Sequence, residues 1–315
     1  KNPASRDILW SLIGKADVMV VNFRPGVVEK LGLDYASVKQ HCPSMIYGEI
    51  TGYGKKGPWS PMPGQDLLVQ SLSGLAWLNG NQNQPPTPMG LSVADLFAGQ
   101  HLAQGILAAL IKRASCGEGS YVHVSMLESV MQFEVFTTYR NDGGQSPERS
   151  AVNNANGYIN APYGIYQTLD GYLAIAMVPV PVLGKLISCD SLLGYTDSET
   201  WCTRRDEIKS LLADHLKTRT TEYWLSKLEP ADVWCADVYT WDKLFKTDGF
   251  KELDMLQTVR TPGGTEFATT RCPITIDREH YKSAKAAPAI GQHNNQYILQ
   301  AESTWNRLFI LKNMK

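Results

Sequence analysis

The sequence has no hydrophobic run approaching the ~20 residues that a membrane-spanning helix needs. It also shows no charged leader followed by an apolar stretch, so a cytoplasmic protein free of the membrane is expected. Excess charge of either sign is missing too. Thirty Lys and Arg stand against 31 Asp and Glu, for a formal net charge of −1. The basic residues are scattered, and no field for nucleic acid or an anionic bilayer is expected. Six cysteines (Cys42, Cys116, Cys189, Cys202, Cys235 and Cys272) include no CxxC pair. None stands at zinc-finger spacing from a His pair, so no metal centre is expected. Scattered thiols of this kind fit a reduced compartment and read as small buried side chains. With 43% hydrophobic and 19% charged residues, wholesale disorder is excluded.

What is present is an alternation of strand and helix signals over the first part of the 315 residues. Residues 7–13 look helical, and 16–22 (ADVMVVN) form a short apolar run suited to a buried parallel strand. After an Arg24-Pro25-Gly26 turn come helical signals at 27–31 and 34–40, then a second strand at 45–49 (MIYGE). The rhythm predicts an α/β, Rossmann-like parallel sheet with ligands at the carboxyl ends of its strands. Residues 51–64 (TGYGKKGPWSPMPG) and 79–88 (NGNQNQPPTP) are loops by their Gly and Pro content, with a helix predicted over 66–78 between them. The clearest helix runs over 95–113. Leu102, Ile106 and Leu110 recur every four residues, as do Ala103, Leu107 and Ile111, giving a wide apolar stripe. Gly99 and Gly105 inside it cost about 1 kcal/mol each relative to Ala, which predicts close backbone packing at both. A strand at 121–125 and a helix over 126–139 follow.

Residues 141–156, dense in Asn, Gly and Ser, read as the exit from this lobe. Beyond them a hairpin over 164–177 turns at Asp170-Gly171. Helices at 204–216 and 221–228 and more short strands complete a smaller α+β lobe, and the tail after Ala287 turns helical again. The expected division is a large domain at 1–149, a small domain at 150–270 and a C-terminal segment at 271–315 that packs back on the large one.

Asp95 stands where a Pro/Gly loop enters the longest helix. From position alone it reads best as an N-cap, a role for which Asp is favoured at about 1 kcal/mol. The same place suits an anion, which a helix N-terminus stabilises by about 0.3–1 kcal/mol. An ionised carboxylate in a dry cleft attacks activated acyl groups. His101 and His123 read as structural, Lys55 and Lys56 as solvated loop lysines, and Met126 as a core methionine at a helix start.

An ordered series of short motifs adds to this reading. Asn22-Phe23-Arg24-Pro25-Gly26, Gly32-Leu33-Asp34-Tyr35, Thr51-Gly52-Tyr53-Gly54 and Gly57-Pro58 come first. Gln65-Asp66, Gln70-Ser71-Leu72-Ser73-Gly74, Ala94-Asp95-Leu96 and Gly117-Glu118-Gly119 continue it, and Pro162-Tyr163, Asp170-Gly171 and Gly291-Gln292-His293 resume it. Together they resemble the family III CoA-transferases (the CaiB/BaiF group, with formyl-CoA:oxalate and carnitine CoA-transferases). The resemblance implies that Asp95 is the nucleophile. It would attack a donor acyl-CoA to form a mixed anhydride, then carry coenzyme A as an aspartyl thioester until an acceptor carboxylate takes it. It implies coenzyme A contacts at Asn22, Phe23, Arg24 and Met126, where Arg suits phosphate and Phe an adenine or pantetheine face. Substrate and loop positions are Gln65, Asp66 and Gly157. The last lies in 153–158 (NNANGY), where the family has a richer glycine loop closing over the nucleophile. No permanently bound cofactor is implied; coenzyme A and acyl-CoA are substrates. An interlocked homodimer is implied as well.

Two alternatives remain. The same fold hosts α-methylacyl-CoA racemases, which carry a His where this chain has Gln65, and glutamine is no general base near neutral pH. The chain also starts at Lys1, after the strand–helix unit with which the family opens. That reads as a missing opening unit and predicts a coenzyme A-binding fragment that is weak or inactive.

Overall fold

The computed structural model describes residues 3–132, 148–157 and 159–297. The chain divides into two compact units, Ala16–Val238 and a second that joins the chain up to Lys15 to the chain from Tyr239. Helix α1 (Pro3–Ile13) belongs to the second unit. No helix among the described residues is long and apolar enough to cross a membrane.

The larger unit opens with three parallel strands in the order β1 (Val18–Val21), β2 (Ile46–Thr51) and β3 (Tyr121–Ser125). Their register places Val21, Glu49 and His123 in one row across the sheet. Helices α2 (Val27–Leu31) and α3 (Tyr35–His41) connect the first two strands. The second connection carries α4 (Asp66–Leu72), α5 (Leu75–Leu78) and α6 (Val93–Cys116), and α7 (Met126–Val130) follows β3. The mixed α/β architecture with a parallel sheet is therefore as expected. The single helix predicted over 66–78 is two, because Gly74 adopts φ 84°, a left-handed conformation that ends one helical run and starts the next. The helix expected over 126–139 begins at Met126 as α7; its continuation past 132 lies outside the described residues.

Helix α6 runs against the strands. Its first turns pack with α4 and with Met126 of α7, which follows the carboxyl end of β3. Near its other end Arg113 donates to the carbonyls of Asp17 and Ser44, beside the amino ends of β1 and β2. The two glycines in it behave differently. A Cβ on Gly105 would sit 2.6 Å from Val122 Cγ1, so only glycine permits that approach to the sheet. Gly99 faces open space, contrary to expectation. The wide stripe is also only half used: Leu102 is buried against Gly48 of β2, whereas Leu107 and Ile111 are 60% and 75% exposed. Neighbouring rows of a helix diverge by about 100° per residue, and the sheet covers one of them.

The rest of this unit has its own apolar core. Strands β4 (Gly164–Gln167) and β5 (Tyr172–Ile175) form the expected hairpin, and β6 (Cys235–Asp237) pairs with β5. Side chains on β4 and β5 alternate between core and surface, as a half-covered sheet requires. Helices α8 (Val180–Leu186), α9 (Thr200–Thr203), α10 (Arg205–Leu216) and α11 (Thr221–Leu228) accompany it. Ile208, Leu212 and Leu216, four residues apart on α10, are fully buried with Tyr166, Leu173 and Leu183. Burying each large aliphatic side chain contributes about 1.5–3 kcal/mol.

In the second unit, α12 (Trp241–Leu244) and α13 (Asp248–Glu252) precede the antiparallel pair β7 (Leu256–Arg260) and β8 (Glu266–Thr270). Buried Arg271 holds the turn after α13 through the carbonyls of Leu253 and Asp254.

Candidate active site

The strands are parallel, so their carboxyl ends share one edge, and four segments begin or end along it. The exposed tripeptide Asn22-Phe23-Arg24 leaves β1, and the loop 52–64 leaves β2. Leu127 N–H donates to Gly52 O at 3.0 Å, bringing the start of α7 beside that loop. The first turn of α6 completes the edge through Ala94 and Ala98, which pack on Met126 and Val69. The loop 52–64 closes on itself where Gly52 and Gly64 touch. A Cβ on Gly64 would come within 2.5 Å of the Gly52 Cα, so neither position has room for a side chain.

Asp95 is the third residue of α6 and is not its N-cap. The capping position belongs to Ser92, whose side chain makes no capping bond. The N–H of Ala94 is taken instead by Asp66 Oδ1 at 2.8 Å, from the start of α4. Asp66 is buried, and a charged acceptor on a helix-end N–H contributes about 1.5–3 kcal/mol. Asp95 is thus relieved of capping. Its carboxylate is exposed and has no hydrogen-bond or ion-pair partner among the described residues. Protein that displaces part of its water raises its carboxyl above the ordinary 3.8, and the negative charge of Asp66 raises it further. That is the opposite direction to the pull of a helix end alone. A more basic carboxylate is a stronger nucleophile.

Asn22, Phe23 and Arg24 are exposed, with Phe23 at 50%, and the Arg24 guanidinium is unpaired among the described residues. An unpaired Arg and a bare aromatic face are free to meet phosphate and a flat or apolar group. Met126 is 5% exposed and lies in the packed cluster beneath the first turns of α6. Gln65 is the N-cap of α4, its Oε1 accepting from Leu67 N–H at 3.0 Å. Gly157 is buried, and its carbonyl accepts from Arg205 of α10 at 3.2 Å. Tyr158, the last residue of the 153–158 loop, lies outside the described residues.

Residues 1–294 match the family described as CoA-transferase family III. The chain belongs to that family. Among similar proteins, a succinyl-CoA:mesaconate CoA-transferase of Haloarcula hispanica is 29% identical, over 94% of this chain and 76% of the relative. A formyl-CoA:oxalate CoA-transferase of Streptomyces coelicolor is 26% identical, over 94% and 77% of the two chains. The solved structure of a CaiB/BaiF family protein from Brucella suis superposes with a TM-score of 0.79 at 27% identity, covering 95% of this chain and 79% of that one. The chain is accordingly a transferase enzyme, and its family acts on coenzyme A thioesters.

Several groups at the edge of this family III transferase make contacts that local spacing does not reveal. Lys55 is not a solvated loop lysine: its Nζ donates to the buried Glu49 at 2.9 Å, lies 3.8 Å from Glu29 and sits over the Tyr121 ring. Burial opposes its charge, but the bonds to Glu49 and Tyr121 outweigh that and hold its ammonium above the ordinary value. Tyr121 also donates to Glu49, and burial followed by that bond pushes its hydroxyl up to about 12. His123 contacts Thr51 Oγ1 through Nε2 at 3.0 Å, and burial lowers its imidazole toward the neutral form. Gln70, fully buried, bonds Asp66 and the loop before α6. Gln70 stands in the motif series, and its i, i+4 spacing from Asp66 on a helix is the physical signal for their bond.

Proposed function

We propose that this chain transfers coenzyme A from an acyl-CoA to a small carboxylic acid, with Asp95 as the covalent carrier. The observation that supports this most is the carboxylate of Asp95, unpaired and exposed at the carboxyl edge of the sheet, while another residue caps its helix. The Asp95 oxygen attacks the thioester carbonyl, the C–S bond breaks, and coenzyme A leaves as thiolate. The thiolate then attacks the Asp95 carbonyl of the mixed anhydride, releasing the donor acid and leaving an aspartyl thioester. An acceptor carboxylate attacks that thioester and displaces the thiolate again. Attack of the thiolate on the acceptor side of the new anhydride yields the product acyl-CoA and restores Asp95. Every intermediate is an activated acyl group, so no nucleotide hydrolysis is needed, and water must be kept from the anhydrides.

Asn22, Phe23 and Arg24 would hold coenzyme A, with Arg24 on phosphate and Phe23 against the adenine or pantetheine. Met126 backs the thioester end from the packed floor. Gln65 and Asp66 lie on the acid-binding side, and Gly157 belongs to the small-lobe loop facing it. Gln65 is occupied in capping α4 and is not a base, which favours transfer over α-proton abstraction. A cytoplasmic setting and a homodimer are part of this reading. The relatives' substrates suggest the first donors and acceptors to try: succinyl-CoA or formyl-CoA with mesaconate or oxalate. Chromatography of acyl-CoA products should show exchange with at least one pair in the wild type and none in D95A. Full exchange by D95A contradicts the proposal.

A further inference from the structure

Asp66 and Gln70 are both buried, at 6% and 1% exposure, and present little surface to a substrate. Their bonds all serve the entry of α6. Asp66 Oδ1 accepts the Ala94 N–H, and Asp66 Oδ2 accepts Gln70 Nε2 at 2.6 Å. Gln70 Oε1 accepts the Met89 N–H at 2.9 Å, and its Nε2 also reaches the Leu91 carbonyl at 3.3 Å. The linked pair therefore ties α4 to the loop 89–91 and to the residue immediately before Asp95. Ser92, at the local capping position, takes no part. We propose that Asp66 and Gln70 are positioning residues for Asp95: the buried pair caps α6 from α4, fixes the approach of the chain to it, and leaves the Asp95 carboxylate unpaired for chemistry. This rests on the nucleophilic role proposed above, and it moves Asp66 from the substrate side to the support of the site.

The arrangement has an electrostatic side. A neutral cap would hold the helix more weakly and leave Asp95 alone, whereas a carboxylate next to Asp95 also raises Asp95, after the larger effect of burial. On the elements packed against α6, the other charged or titratable groups face elsewhere. Glu128 of α7 is bonded to Ser125, His123 of β3 to Thr51, and Glu49 of β2 to Lys55 and Tyr121. His101 lies on α6 itself, six residues beyond Asp95. Asp66 is the charged neighbour that acts on the nucleophile.

The test uses D66N, which turns an amide toward the amide of Gln70, and D66N/Q70E, which restores donor to acceptor at that contact. In the double variant the amide at position 66 still offers an oxygen to the Ala94 N–H, and the carboxylate at position 70 still accepts from Met89. Rapid-quench mass spectrometry of the Asp95 peptide, with succinyl-, acetyl- and formyl-CoA as donors, gives the rate of acyl capture between pH 4 and 8. Thermal melting is recorded for each protein. D66N should capture on the order of tenfold more slowly at neutral pH, the scale of a misplaced reacting group, and its acid limb should move to lower pH. D66N/Q70E, which leaves the Leu91 carbonyl without its donor, should regain most of the capture rate and part of the melting temperature lost in D66N. Capture on wild-type Asp95 with D66N unchanged in rate and acid limb overturns the clamp alone. A double variant that regains that part of the melting temperature yet still captures slowly also overturns it. Absence of label on wild-type Asp95 removes the nucleophile itself, and the clamp's role with it.

Discussion

Lys209 offers a pH-dependent test of how the loop at 148–157 is held. Its side chain has no exposed surface, and its ammonium donates to Ser150 Oγ at 3.0 Å and to Asn153 O at 3.2 Å. Burial first, then the neighbouring charge of Arg205, pulls it from the ordinary 10.5 down to about 8. A group whose pKa falls on folding destabilises the native state wherever both states are protonated, here below pH 8. As pH rises past 8 the folded protein releases the proton while the unfolded chain keeps it to about 10.4, so stability increases with pH. Between pH 7.5 and 9.5 this linkage amounts to about 2 kcal/mol. Lys209→Met keeps the length of the side chain and removes the titration, at the cost of two unmet acceptors worth about 1–3 kcal/mol each. Urea unfolding of both proteins at pH 7.5, 8.5 and 9.5 should therefore show the wild type gaining about 2 kcal/mol on the variant across the range. Parallel pH curves would refute the assignment of a strained, buried ammonium to this position.

Three further outcomes follow from the packing. Gly99→Ala, in open space on α6, should stabilise the protein by about 1 kcal/mol in urea unfolding. Gly105→Ala, whose Cβ would meet Val122 at 2.6 Å, should cost about 1–3 kcal/mol in the same assay. Arg149→Ala should cost about 3 kcal/mol or more and slow turnover as well. Arg149 is buried over the Trp77 ring and donates to the carbonyls of Asn79, Gln82 and Gln84, on the loop that leads to Asp95.

Local signals were legible where they depend on near neighbours. The parallel strands, the hairpin at Asp170-Gly171 and most of α6, expected over 95–113, all follow from periodicity and turn chemistry. What escaped depends on partners far along the chain. Asp95 looked like a helix cap because the real cap, Asp66, comes from a different helix, 28 residues before the Ala94 whose N–H it accepts. Gly99 and Gly105 carry the same composition signal, and only their place against β3 separates them. Lys55 reads as a loop lysine until Glu49 of β2 and Tyr121 of β3 are brought beneath it. The buried cations Arg149 and Lys209 are invisible for the same reason: each bonds backbone carbonyls that no spacing rule connects to it. The ordered motifs of the resemblance single out Asp95 and Asn22-Phe23-Arg24, and these stand exposed at the carboxyl edge of the sheet. Met126 lies in the packed floor, as its reading as a core methionine at a helix start predicts.

The central claim is that Asp95 becomes covalently activated. Its direct test is mass spectrometry of the Asp95 peptide after incubation with succinyl-, acetyl- or formyl-CoA in the presence of hydroxylamine, which converts an aspartyl thioester or anhydride to a hydroxamate. A hydroxamate on Asp95 that depends on the acyl-CoA and is absent in D95A is the expected result. An unmodified Asp95 with every donor, from protein that nevertheless exchanges coenzyme A between acids, would contradict it.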